Sequence, residues 1–150
     1  MARGSARWAI KGLPYKFRSK FECSIADQLI DSGLKWEYET VTLPYTSNVR
    51  GVCNDCGSSN VHKRRSYTPD FRVILPSGQD YFIEVKGRFT SPDRTKMKDV
   101  RKCYPDLDIR MLFQSNNSTG ETRHKTYGGW CDNIGYEWWV VDIPEDWFES

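Results

Sequence analysis

Long apolar segments are missing from this sequence of 150 residues. No apolar run approaches the ~20 residues that span a bilayer, and the N-terminus has no apolar core of a secretion signal. The mean hydropathy is −0.69, and 28% of the residues are charged. These absences argue against a transmembrane protein. They predict a soluble, cytoplasmic protein with one domain, a substantial core and no membrane partner.

Acidic residues are absent from the first twenty positions, and Lys and Arg are absent from the last twenty. The net charge of +2 hides this asymmetry, and residues 86–125 add ten basic side chains against five acidic ones. The pattern suggests a polyanionic partner such as DNA, although charge runs taken alone favour a solvated surface with an untidy N-terminus. The basic residues of the N-terminal segment are Arg3, Arg7, Lys11, Lys16, Arg18 and Lys20.

Two apolar runs separated by a turn motif predict a β-hairpin. Residues 71–75 form its first strand, Pro-Ser-Gly-Gln at 76–79 the turn, and residues 81–85 the return strand. A hairpin places the end of its second strand beside the start of its first. Asp70 and Glu84 should therefore meet at the open end of the hairpin.

The residues at this open end form the pattern Pro-Asp followed by Glu-x-Lys. Side chains alternate along a strand, so Glu84 and Lys86 should share one face while Val85 points into the core. Magnesium prefers carboxylate, water and phosphate oxygens, and a lysine beside it can place the attacking water and offset developing charge. The motif predicts a metal-dependent nuclease site, and a surface hairpin with a solvated Glu–Lys pair remains the alternative.

The other elements follow from caps, stops and periodicity. Ser19 and Glu22 form a capping-box sequence that begins a helix ending at Gly33. Ser91 and the proline after it predict the cap of another helix. The remaining predictions are a strand at 36–43, a polar connector at 46–66, the second helix to 103, a strand at 108–114, a short helix at 126–133, a strand at 137–141 and a terminal turn at 144–148. This order predicts an α/β domain with a mixed sheet flanked by helices.

With these elements in place, the chain resembles the bacteriophage endonuclease I family of Holliday-junction resolvases, which have a PD-(D/E)xK nuclease core. The matching segments run in order from about residue 17 to residue 147, so they cover nearly the whole chain. They are Phe17-Arg18-Ser19 with Glu22, Trp36-Glu37-Tyr38-Glu39, Pro44-Tyr45, Tyr67-Thr68-Pro69-Asp70-Phe71, Glu84-Val85-Lys86-Gly87, Asp93-Arg94, Pro105 with Leu107-Asp108-Ile109-Arg110, Tyr127-Gly128, and Ile143-Pro144 with Trp147.

The resemblance implies a restriction-endonuclease-like core and a domain-swapped homodimer with composite active sites. It implies catalytic roles for Glu22, Asp70, Glu84 and Lys86, with two Mg²⁺ or Mn²⁺ ions per site held by the three carboxylates and the main-chain carbonyl of Val85. One protomer would supply Glu22 and the other the hairpin residues. The sequence alone favours Glu22 as only the partner of Ser19 in the capping box, although one carboxylate could serve both roles.

Composition, charge and the family pattern together predict the organisation of the rest of the chain. Residues 1–16 would be a flexible basic arm, and residues 17–150 one nuclease domain with a connector and a Cys-x-x-Cys insertion at about 44–66. Residues assigned to DNA contact are the six basic residues of the N-terminal segment together with Lys63, Arg64, Arg65, Arg88 and Arg94. Trp8 is the one aromatic residue considered for base stacking.

The insertion contains Cys53 and Cys56 in a Cys-x-x-Cys-Gly motif, with His62 nearby. Thiolates bind Zn²⁺, but a structural zinc site needs four ligands, so zinc competes with a tight turn carrying free thiols and with a redox-labile pair. The five cysteines of the chain are an odd number, which favours a reducing compartment over a disulfide framework.

The expected activity is cleavage of four-way junctions and other branched DNA by a phage protein acting in the host cytoplasm. The alternatives are a mismatch- or sequence-directed endonuclease on the same core and a DNA-binding module without catalysis. The second alternative is disfavoured because no carboxylate of the motif, nor its lysine, is missing.

Overall fold

The computed structural model describes residues 8–50, 60–122 and 125–149. In these ranges the chain forms α1 (Lys20–Ser32), β1 (Lys35–Tyr38), β2 (Leu43–Arg50), β3 (Asn60–Tyr67), β4 (Phe71–Ile74), β5 (Asp80–Lys86), α2 (Ser91–Cys103), β6 (Ile109–Phe113), α3 (Tyr127–Ile134), β7 (Glu137–Val140) and a 3₁₀ helix (Glu145–Phe148). None of the helices in these ranges combines the length and the apolar character that crossing a bilayer requires.

Five strands form one mixed sheet in the order β1-β4-β5-β6-β7. The pairs of β4 with β1 and with β5 are antiparallel, and those of β6 with β5 and with β7 are parallel. Parallel neighbours need a crossover, which α2 supplies between β5 and β6 and α3 between β6 and β7. The predicted α/β architecture with a mixed sheet is therefore confirmed.

Helices cover both faces of this sheet because its central strands are apolar on both sides. Residues 81–85 of β5 are all buried. One face packs against Ile25 and Leu29 of α1. The opposite face packs against Met97 of α2 and Trp130 of α3. The open end of the β4–β5 hairpin thus lies between α1 on one side of the sheet and α2 on the other.

The caps of α1 hold its first turn beside the sheet. The Glu22 N–H donates to Ser19 Oγ at 3.1 Å, and Gly33 ends the helix with φ 74°, as predicted. The Glu22 carboxylate, however, accepts the N–H of Arg18. The start of α2 differs from the prediction: Thr90, and not Ser91, is its N-cap and forms the reciprocal capping box.

The single strand predicted at 36–43 is wrong, because the backbone turns at Glu39. This residue has φ 53°, a left-handed conformation that breaks extended structure. β1 ends one residue earlier, at Tyr38, and Leu43 begins the next strand. The apolar residues lie at alternate positions on each side of the turn, but the alternation shifts by one residue between Tyr38 and Val41, and the prediction passed over this break.

The connector predicted at 46–66 contains strands that the sequence analysis did not assign. β2 and β3 pair antiparallel as a separate two-stranded ribbon, from Leu43 opposite Tyr67 to Arg50 opposite Asn60. Residues 62–66 are all exposed. A strand with solvent on both faces has no apolar alternation, so its composition resembles that of a loop. Likewise, Pro44 and Tyr45 lie within β2 and do not end a strand.

Residues 8–16, placed in a flexible arm by the sequence analysis, pack on the sheet in the structure. Ala9 bridges to Lys16, and the Phe17 N–H donates to the Trp8 carbonyl at 3.1 Å. Trp8 itself is half-buried against the core on the α1 face of the sheet. Its described contacts therefore support packing, and residues 1–7 lie outside the described ranges.

Gly128 of α3 lies directly beneath Trp138 of β7. A Cβ at this position would overlap the indole ring of Trp138, which is held by its 2.8 Å hydrogen bond to Asp132. We expect Gly128→Ala to lower the free energy of unfolding by about 1–3 kcal/mol through overpacking. Urea unfolding measures this loss.

The neighbouring Gly129→Ala is the matched control. Its Cβ would meet only Thr126 Oγ1, at 3.2 Å. We expect a smaller loss than for Gly128→Ala, and equal stabilities for the two variants would contradict the packing of α3 on β7.

Candidate active site

The open end of the β4–β5 hairpin brings Asp70 against β5. The Val85 N–H donates to Asp70 Oδ2 at 2.8 Å. Val85 itself is buried in the core shared with α1, whereas Lys86 Nζ lies 3.6 Å from Glu84 Oε2. The predicted hairpin and the shared face of Glu84 and Lys86 are both confirmed.

Glu84 is a buried carboxylate supported from two sides. The Tyr67 hydroxyl donates to Glu84 Oε1 at 3.1 Å, and Lys86 faces the other oxygen. Burial raises the pKa of Glu84, while the Lys86 charge and the Tyr67 hydrogen bond act to lower it. A buried carboxylate that keeps both partners is held in one place, as a metal ligand must be.

Lys86 stands between two carboxylates. Its Nζ is 3.6 Å from Glu84 Oε2 and 3.5 Å from Oδ1 of Asp93, which belongs to the capping box of α2. Burial acts to lower the pKa of Lys86, but the charges of Glu84, Asp93 and Asp70 outweigh it and raise the pKa above its usual value. Lys86 is therefore a cation at neutral pH and not a general base.

Glu22 reaches the same end of the sheet from the first turn of α1. Its Oε2 accepts the Arg18 N–H at 2.8 Å and the Tyr38 hydroxyl at 3.2 Å. One carboxylate oxygen from each of Glu22, Asp70 and Glu39 lies within 4.8 Å of the others. All three carboxylates come from the one chain described here, and the composite site shared between two protomers stays a prediction.

Asp70 concentrates the negative charge of the site. Burial raises the pKa of Asp70 well above its usual value, and the neighbouring charges of Glu84 and Glu22 raise it further. The Val85 N–H and Lys86 oppose this shift without cancelling it. The carboxylates thus have more negative charge than the adjacent cations offset, which a divalent cation would relieve.

The donor atoms fit Mg²⁺ or Mn²⁺. Both ions prefer oxygen ligands, and the cluster presents carboxylate oxygens at a partly buried site beside the backbone of Val85. Glu22, Asp70 and Glu84 are each at most 7% exposed, so few water molecules compete for their oxygens. The arrangement suits a hard divalent ion better than a thiolate-binding one.

Glu39 is the member of the cluster that the sequence analysis missed. Its N–H donates to the Asp70 carbonyl at 2.9 Å, and its left-handed backbone brings the carboxylate toward Glu22. The sequence signal was its place in the Trp36–Glu39 segment shared with the family. The predicted strand at 36–43 included Glu39 as an extended residue, but β1 ends one residue earlier, at Tyr38.

The zinc prediction falls mostly outside the described residues. Cys53 and Cys56 lie in the gap between β2 and β3, and His62 is an exposed residue of β3. Among the residues that the structure describes, the only group of three or more candidate ligands is the carboxylate cluster. Zinc binding by the Cys-x-x-Cys motif therefore stays a prediction.

The basic residues assigned to DNA contact are mostly on the surface. Arg3 and Arg7 lie outside the described residues. Exposed side chains belong to Lys11, Lys16, Arg18, Lys20, Lys63, Arg64, Arg65 and Arg88. Arg94 differs from them, because its guanidinium is buried and donates to the Phe89 carbonyl and to Glu121. These contacts tie the start of α2 to the residue before Thr90 and to the loop between β6 and α3.

Comparison with known proteins adds an independent finding. The family model described as phage endonuclease I matches residues 1–150. Endonuclease I of Escherichia phage T7 is 35% identical over 135 residues, which cover 89% of this chain and 79% of that protein. Endodeoxyribonuclease 1 of Enterobacteria phage T3 is 37% identical over 120 residues, 79% of this chain and 68% of that protein. The chain therefore belongs to the phage endonuclease I family.

Proposed function

We propose that this protein resolves four-way DNA junctions by metal-dependent hydrolysis of phosphodiesters at the branch. The chain is an endonuclease of the phage endonuclease I family. The observation that carries the proposal is the convergence of Glu22 and Asp70 beside the hairpin that holds Glu84 and Lys86. The proposed setting is the cytoplasm of an infected host cell.

Each residue has a distinct part in the proposed chemistry. Asp70 interacts electrostatically with both Glu84 and Glu22. These three carboxylates and the Val85 carbonyl would hold two Mg²⁺ or Mn²⁺ ions. When bound, such ions activate water and stabilise negative charge on the phosphate. Lys86, a cation fixed by Glu84 and Asp93, would orient the attacking water and offset charge on the phosphate oxygens.

Selectivity for branched DNA would come from shape and charge. Phosphate contacts position a protein on DNA without reading its sequence. Exposed basic residues lie on the ribbon (Lys63, Arg64, Arg65) and beside the nuclease site (Arg18, Arg88). We propose that a homodimer places two such surfaces on opposite arms of a junction, with the domain swap as the family arrangement.

Cleavage of a labelled four-way junction tests the proposal against its alternatives. We expect paired, symmetric cuts near the branch that require Mg²⁺ or Mn²⁺, while a linear duplex carrying the sequence of one arm stays intact. Denaturing gels of both strands of each arm give the positions of the cuts. Equal cleavage of both substrates would replace the junction specificity with a general nuclease. Tight junction binding without cleavage in either metal would favour a non-catalytic module.

A further inference from the structure

Arg18 contacts the carboxylate cluster through both its backbone and its side chain. Its N–H donates to Glu22 Oε2 at 2.8 Å, and its Nη2 lies 2.8 Å from Glu39 Oε1. The short segment before α1 therefore places a guanidinium directly against the cluster formed by Glu22, Glu39 and Asp70. A cation already stands where the donor set favours a divalent ion.

The contact between Arg18 and Glu39 is a close charge pair that lacks the geometry of a hydrogen bond. Glu39 Oε1 is buried and accepts no hydrogen bond from the residues that the structure describes. The charge of this oxygen is met by the Arg18 guanidinium, 2.8 Å away, so the ion pair is what neutralises it in the absence of a metal. An ion that binds this oxygen together with Glu22 and Asp70 would satisfy it.

The exposure of the two side chains indicates that Arg18, and not Glu39, can move out of the ion pair. The Arg18 side chain is 70% exposed and that of Glu39 only 24%. An ion pair with one exposed partner is weak, so three carboxylates can exchange the guanidinium for a divalent ion at little cost. Lys86 contrasts with Arg18, because it is 25% exposed and held by both Glu84 and Asp93.

We propose that Glu39 is a further metal-binding residue of the nuclease site. Without metal, the Arg18 guanidinium occupies the place of the ion beside Glu39. A divalent ion displaces the guanidinium, which is then free to bind a DNA phosphate. The planar guanidinium suits a phosphate, to which it can donate two parallel hydrogen bonds. This inference rests on the proposed function, since it concerns the same metal site. It couples metal binding to DNA contact through one exposed side chain.

Calorimetric titration of the full chain with Ca²⁺, without DNA, tests the metal half of the inference. Glu39→Gln should weaken Ca²⁺ binding about tenfold or more, because it removes a charged ligand. Arg18→Gln should tighten it about two- to fivefold, because a weak competing ion pair is lost. Asp31→Asn, an exposed acid of α1 with no part in the cluster, is the control and should bind as the wild type does.

Junction binding measured by gel shift tests the DNA half. In EDTA, Arg18→Gln should bind the junction as the wild type does, since Glu39 engages the wild-type guanidinium. In Ca²⁺ the variant should bind the junction several-fold more weakly than the wild type. The slope of log affinity against log salt concentration should also be smaller, by the amount that one phosphate contact contributes. Thermal unfolding of each variant shows that the fold is kept.

Opposite outcomes identify which proposal fails. Unchanged Ca²⁺ affinity in both Arg18→Gln and Glu39→Gln, with binding lost in Asp70→Asn, would overturn this inference and leave the proposed nuclease site intact. The same loss of junction affinity in EDTA and in Ca²⁺ would overturn the exchange of Arg18. Full Ca²⁺ binding by Asp70→Asn would instead contradict the metal site of the proposed function.

Discussion

Asp70→Asn is expected to reduce junction cleavage by about a thousandfold or more while leaving junction binding in EDTA within a few-fold of wild type. Asparagine keeps the shape of the side chain and can still accept the Val85 N–H. It removes the charge that lies among Glu22, Glu39 and Glu84, and with it the central ligand of the proposed metal site. Single-turnover cleavage in Mg²⁺ with excess enzyme measures the loss.

Asp80→Asn is the matched control for this variant. Asp80 lies at the opposite end of the same hairpin, where it pairs with Arg72 at 2.6 Å on the surface. Its loss should leave cleavage within about twofold of wild type. If Asp70→Asn cut junctions at the wild-type rate in metal-free protein restored with Mg²⁺, the role assigned to Asp70 would be wrong.

Asp70→Asn should also raise the free energy of unfolding of the metal-free protein, by about 0.5–2 kcal/mol at pH 8. Burial and the charges of Glu84 and Glu22 raise the pKa of Asp70 in the folded state, so ionisation costs the folded state more than the unfolded one. Well below the unfolded pKa of about 3.9 the group is protonated in both states and the cost vanishes. The cost grows as the pH rises from there to the folded pKa and is constant above it.

Urea unfolding in EDTA at pH 4 and pH 8 measures this gain. The Asp70→Asn variant should be more stable than the wild type at pH 8, and the difference should be much smaller at pH 4. Mg²⁺ should then stabilise the wild type more than the variant, because only the wild type keeps the complete ligand set. If Asp70→Asn were less stable than the wild type at pH 8, the protein itself would compensate the charge of Asp70, and the predicted gain in stability would be wrong.

Lys86→Met is expected to lower cleavage by about 10²–10³-fold, with smaller effects on junction binding. The raised pKa of Lys86, set by the charges of Glu84, Asp93 and Asp70 against the effect of burial, keeps it protonated. Its loss removes the cation that would offset charge on the reacting phosphate. Methionine matches the length of the lysine stem, so packing beside Glu84 is largely preserved.

Two further variants separate this electrostatic role from a loss of folding. Lys98→Met removes an exposed lysine of α2 and should leave cleavage unchanged. Lys86→Arg keeps a positive charge and should retain more activity than Lys86→Met. Because Glu84 loses its charged partner in Lys86→Met, the unfolding transition of this variant is measured together with its cleavage activity. Wild-type cleavage by a folded Lys86→Met protein would contradict the role of this lysine.

The hairpin and the face shared by Glu84 and Lys86 were predictable because they depend on neighbours in sequence. A turn motif between two apolar runs sets the pairing, and alternation along β5 sets the directions of side chains. The stop of α1 at Gly33 follows from the same kind of local rule. The nuclease motif was therefore recognisable before any tertiary contact was known.

The ribbon formed by β2 and β3 was not predictable in this way. Residues 62–66 of β3 are exposed one after another, so no apolar face distinguishes this strand from a loop. The burial of Arg94 was hidden for a related reason. A charged residue near the start of a helix is usually solvated, and only the packing of Phe89 and Glu121 around it makes burial tolerable.

The sequence alone was enough to identify the Pro-Asp and Glu-x-Lys motif and the helix that carries Glu22, since caps, turns and strand periodicity are local. The cluster of Glu22, Glu39 and Asp70, and the guanidinium of Arg18 against it, depend on the folded structure. Glu39 joins that cluster because one residue leaves the extended conformation and bonds to the Asp70 carbonyl. Contacts between segments far apart in the chain arise from packing, and no local rule specifies them.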